Sequence, residues 1–187
     1  DAVVEVTAPR EGTLFHPKVW AIRFRSDDGD TRHRCLVLSR NLTFDQSWDT
    51  ILVLDQPAPG EWAKTIDGAP LGRFVAGLPG LAVRPLGEAR LAEIADLATT
   101  IGASPFTVPA PYRFGEIVPL GMPGSEALSL DPSDRLLAIS PFLGGRVVCD
   151  LAANTRELIL LSRPAALDGV QLASHTQPFV LDQATEE

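Results

Sequence analysis

The stretch Thr13–Asp55, TLFHPKVWAIRFRSDDGDTRHRCLVLSRNLTFDQSWDTILVLD, decides how this chain is read. Three apolar runs stand in it, Val19–Phe24, Cys35–Leu38 and Ile51–Leu54. Each has strand length, and the polar run Ser26-Asp-Asp-Gly-Asp30 turns the chain between the first two. His16 and Lys18 lie two apart at the start of the first run, so they share a face. Ser39-Arg-Asn41 closes the second run. If the first two strands pair as a hairpin, the start of one lies beside the end of the other. His16, Lys18, Ser39 and Asn41 then meet at one sheet end. An imidazole, an ammonium and a carboxamide there supply a nucleophile or acid and donors for a charged oxygen.

Composition sharpens this reading. A histidine beside Pro17 can simply end a strand, and a lone lysine is usually a solvated side chain. Yet the chain has only two lysines, Lys18 and Lys64, against fourteen arginines. A chain that prefers arginine has placed one of its two lysines two residues after a histidine, at the edge of an apolar strand.

The pattern His16-x-Lys18, strand, turn, then Ser39-x-Asn41-Leu-Thr resembles the phospholipase D superfamily. That family carries H-x-K-x4-D followed by G-S-x-N, normally twice per active site. Here the Asp position holds Arg23 and the Gly position holds Leu38. The missing Asp is similar to the tyrosyl-DNA phosphodiesterase and restriction-nuclease-like branches. The resemblance implies an α/β fold, a phospholipase D-like mixed sheet flanked by helices. Residues 1–103 would be the C-terminal part of a first repeat, 104–133 a linker and loop, and 134–187 the N-terminal part of a second.

The same resemblance implies a metal-independent phosphodiesterase without a cofactor. One histidine attacks phosphorus and forms a phosphohistidine. A histidine from a second motif protonates the leaving oxygen. His16, Lys18 and Asn41 are the implied catalytic residues, with His16 either nucleophile or acid. Ser39 and Arg40 are the implied substrate contacts. Nucleic acid is the leading substrate. The alternatives are a lipid or small-molecule phosphodiesterase, and a non-catalytic scaffold subunit of a nucleic-acid-processing complex. The second H-x-K is expected from a segment downstream of Glu187 or from a second subunit. Residue 1 is Asp, which reads as a piece of something longer that is inactive alone.

The remaining chain sets bounds. With 187 residues, 45% hydrophobic and 21% charged, it can bury a real core. A net charge of -8 gives no overall basic footprint, so any phosphate-binding surface must be local. Cys35 and Cys149 sit in apolar runs and read as buried free thiols in a reducing, cytoplasmic setting. No apolar run is long enough to span a bilayer. Asp45 and Asp49 lack a His or Cys companion and are weak metal ligands. Phe44, Trp48 and Arg40 suit a nucleotide, and core packing suits the two aromatics equally.

Past the third strand, Pro70–Leu78 and Glu88–Ile101 have helical spacing. Leu91, Ile94, Ala95, Ala98 and Ile101 form the inner face of the second helix. Ala2–Val6 and Gly115–Leu120 read as short strands, and Ser104–Tyr112 as a proline-rich link. From Asp134 the order is strand, turn, helix and strand, a βαβ unit with parallel pairing. Pro164–Val170 reads as a helical turn and Phe179–Leu181 as a last strand. His33 reads as an exposed strand residue and His175 as a loop residue. Neither is followed by the motif lysine.

Overall fold

The computed structural model describes residues 3–10, 15–40, 49–122 and 130–180. Among these residues the chain is mixed α/β, with three small sheets and four α-helices. It divides into two compact units, Asp1–Leu128 and Ser129–Glu187.

The first unit is built on an antiparallel sheet in the order β1-β2-β3, with β1 Val19–Arg25, β2 Thr31–Leu38 and β3 Ile51–Asp55. The β1–β2 turn closes through Ser26 N–H to Asp30 O (2.9 Å) and Gly29 N–H to Ser26 O (3.0 Å). Gly29 has φ +88°, a conformation that a side chain would strain. Register aligns Val19 with Val37 and Cys35 with Leu54.

A ribbon of β4 Thr65–Ile66 and β5 Phe106–Thr107 leads to and from two helices, α1 Ala69–Gly77 and α2 Glu88–Gly102. Pro70 sits in the first turn of α1, where its missing N–H costs nothing. Cys35, Leu54, Ile66, Leu71, Ile101 and Phe106 form the buried core of this unit. Burial of each large aliphatic or aromatic side chain contributes about 1.5–3 kcal/mol. The helices approach closely because Gly72 of α1 faces Gly102 of α2. A Cβ on Gly72 would meet the Gly102 Cα at 2.6 Å and the Ala98 carbonyl oxygen at 2.7 Å.

Several expectations need correction. His33 is buried, 4% exposed, because its parity on β2 is that of Cys35. Its ring Nδ1 lies 3.1 Å from Gln56 Oε1 and 3.0 Å from Ser104 Oγ, and Nε2 lies 3.1 Å from Thr100 Oγ1. On α2, Ala98 and Ile101 are buried, but Leu91 is 40% exposed and Ala95 is exposed too. Only the C-terminal half of that helix packs inward. The N-terminal segment pairs as a single bridge, Val6 with Ala82. Gly115–Leu120 is not a strand. It runs irregularly along the first unit, with Ile117 packed against the core. The proline-rich link likewise supplies β5 and the buried Phe106 to this unit.

The second unit holds a parallel sheet in the order β6-β7-β8, with β6 Ser133–Ile139, β7 Thr155–Leu161 and β8 Thr176–Phe179. Helix α3, Gly145–Ala153, crosses from β6 to β7, and α4, Pro164–Asp168, follows β7. Leu158 and Leu160 of β7 are fully buried. Val148 and Ala152 give α3 its inner face, while Val147 is 51% exposed. Cys149, the neighbour of Val148 on a helix turning about 100° per residue, is exposed and not buried as the sequence suggested. Its last strand begins three residues earlier than the apolar run Phe179–Leu181 indicated. His175 precedes β8, and its Nε2 lies 2.9 Å from the Ala152 carbonyl oxygen, tying the loop to the end of α3.

Candidate functional site

The site residues gather where β1 begins and β2 ends. The pairing of these strands continues one step past Val19 and Val37, since Leu38 N–H donates to Lys18 O at 2.9 Å. One residue further, Ser39 N–H donates to Thr50 O at 3.0 Å, so β3 is held at the same end. The backbone thereby brings His16, Lys18, Ser39 and Arg40 to one end of the sheet. Asn41 lies outside the described residues, as do Phe44, Asp45 and Trp48.

His16 is exposed and Lys18 half-buried. Lys18 Nζ stands 3.3 Å from His16 Nδ1. An ammonium has only protons to give, so Nδ1 is the acceptor. A neutral imidazole in this contact therefore carries its proton on Nε2, the nitrogen that faces away from the lysine.

Ser39 is engaged on both sides. Its Oγ accepts from Thr50 N–H at 2.9 Å and donates to Asp49 Oδ1 at 3.1 Å. Arg40 Nε lies 3.9 Å from the same carboxylate oxygen. Asp49 thus draws both proposed substrate contacts toward the start of β3. An incoming anion would compete with Asp49 for the Ser39 hydroxyl and the Arg40 guanidinium.

The motif position that holds Arg23 is used structurally. Arg23 donates to Asp96 Oδ2 at 2.5 Å and to Thr100 Oγ1 at 3.3 Å, which joins β1 to α2. Arg23 is also the cross-strand partner of His33. On β2, Arg34 grips Asp55 through Nε and a terminal nitrogen at 2.6 and 2.9 Å. That hydrogen bond and the adjacent charge raise the guanidinium further above its ordinary range.

One feature beside the site was not legible in the sequence. A hollow of about 700 Å³ opens next to His16. The inner face of the sheet forms one wall, with Val19, Val37 and Leu52. Helix α1 forms another with Leu71 and Phe74. The irregular segment 109–120 forms the third. Cys35 lies at its base, and burial pushes that thiol up to about 11. The nearest sequence signal was Gly115–Leu120, which read as a short strand.

Among the described residues no group of three or more His, Cys, Asp or Glu side chains is placed to hold a metal ion. No helix among them is long and apolar enough to cross a membrane. In the second unit, the residues after β6 and β7 satisfy one another. Ser162 Oγ donates to Ser140 O at 2.6 Å, Arg163 Nε donates to Pro141 O at 2.8 Å, and the Arg163 guanidinium covers the Phe142 ring at 4.5 Å. No family model, no curated protein and no solved structure matches the chain.

Proposed function

We propose that this chain contributes one half-site of a metal-independent phosphodiesterase of the phospholipase D type, a nuclease that works through a phosphohistidine. The observation that carries this reading is the contact between Lys18 Nζ and His16 Nδ1, 3.3 Å, at the end of the sheet where Ser39 and Arg40 also stand. In this reading the first unit is the close of one repeat, and the βαβ unit from β6 is the opening of another.

In this reading one of two histidines, His16 or a second imidazole from a second copy or from elsewhere in the protein, attacks phosphorus, and the other, as an imidazolium, is the acid. The bond from phosphorus to the leaving oxygen breaks, and the imidazolium gives that oxygen its proton and becomes a neutral imidazole. Water then attacks phosphorus, its proton passing to that neutral imidazole, and the phosphorus–nitrogen bond breaks to release the phosphate-bearing product and the attacking imidazole. Lys18 turns from His16 to a non-bridging oxygen, Ser39 and Arg40 lie along the substrate backbone, and Asn41 is the further donor that the motif implies. The absent motif aspartate leads to nucleic acid as the substrate.

The experiment is cleavage of single-stranded and duplex DNA in the presence of a chelator. Activity that persists in chelator and is lost in His16→Ala supports the reading. Activity that needs an added divalent metal, or that His16→Ala leaves intact, refutes it.

A further inference from the structure

We propose that the hollow beside His16 is a binding site for a single-chain anionic amphiphile, its alkyl chain inside and its head at Lys18. This goes beyond the cleavage reading and rests only on where His16 and Lys18 stand. The volume, about 700 Å³, lies inside the range of about 300–1,000 Å³ usual for small-molecule sites. The walls are hydrocarbon on three sides, from the sheet, from α1 and from the segment 109–120. Apolar side chains left in water on that segment, with Leu120 50% and Val118 40% exposed, gain by covering an apolar guest.

The polar complement of the hollow decides the class of guest. Besides the buried Cys35, its polar lining side chains are His16, Tyr112 and Glu116. A nucleobase carries donors and acceptors around its edge and would leave most of them unpaired there. An alkyl chain leaves none. His16 is exposed while lining the hollow, so it marks the mouth, and the Lys18 ammonium lies 3.3 Å from its ring. A carboxylate or a phosphate monoester at the end of the chain meets that cation. Lys18 does not itself line the hollow, whereas Glu116, on the segment 109–120, does, so the head group is placed at the mouth by His16 and Lys18 and not inside.

The test is calorimetric titration of the intact chain with octanoate, decanoate, dodecanoate, dodecyl phosphate and neutral decanol, each below its micellar concentration. Affinity should tighten about fourfold per methylene. Lys18→Ala should bring decanoate down to the level of decanol. Leu120→Glu and Val118→Glu, both on exposed wall positions, should abolish binding while leaving the unfolding midpoint unchanged. Equal affinity for carboxylate and phosphate supports a general anionic head, and a preference for phosphate supports a phosphate-headed guest. Affinity independent of chain length, full binding by both wall variants, or displacement of a bound apolar dye by an oligonucleotide but not by dodecanoate overturns the proposal. DNA cleavage is measured separately, so the loss of either reading leaves the other standing.

Discussion

Arg23 on β1 donates to Asp96 on α2 at 2.5 Å, and through Thr100 it joins the hydrogen-bonded group around the buried His33. The position where the resembling motif carries a carboxylate is here a cation that ties helix to sheet. Replacing it with the motif residue, Arg23→Asp, would set two carboxylates face to face and strip Thr100 of a donor. The variant should lose about 1–3 kcal/mol of stability. A urea titration reads the loss, and adding Asp96→Arg should recover part of it. No fall in the midpoint would show that the pair is a solvated surface contact.

A role for His16 as the acid, in its imidazolium form, makes a prediction about leaving groups. His16→Ala should slow cleavage of an ordinary sugar phosphodiester by about 10²–10⁴-fold. A nitrophenyl phosphodiester, whose leaving oxygen needs no proton, should be cleaved nearly as fast as by the unaltered protein. Equal losses on both substrates would make His16 the attacking group instead.

The two thiols should differ in reactivity. Cys149 is exposed and Cys35 is 1% exposed, with burial raising its thiol to about 11. At pH 8, iodoacetamide should label Cys149 quickly and Cys35 only after denaturation. The sign of the linkage follows. The folded value lies above the unfolded one, about 8.5, so the thiol of Cys35 adds stability that is whole below pH 8.5. That share is lost as pH rises through 8.5 toward 11. Cys35→Ala should flatten this alkaline fall in the unfolding midpoint.

The close approach of α1 and α2 predicts a contrast between two glycines. Gly72→Ala drives a methyl into the backbone of α2 and should cost about 1–3 kcal/mol, read by thermal unfolding. Gly80→Ala meets nothing within 4 Å and should be neutral or stabilising by up to about 1 kcal/mol.

Local patterning made the hairpin, α1, α2 and the parallel βαβ unit readable, because spacing and turn residues act within a few positions. The contact of His16 with Lys18 was readable for the same reason. The burial of His33 was not. Cys35–Leu38 is apolar at every position, so nothing in it marks which parity faces inward, and the face of His33 depends on helix α2, sixty residues away in sequence. The hollow was hidden for a related reason. Its third wall, 109–120, is irregular, and its apolar residues gain meaning only from the sheet and α1 opposite them.

The Ser26–Asp30 turn closes the hairpin at the end away from His16. Across the seven residues of β1 that separation is about 23 Å. Its apex, Asp27 and Asp28, is exposed. A fluorophore or an affinity handle attached at Asp28 would therefore report on this chain, or immobilise it, with the end that bears His16 and Lys18 left clear.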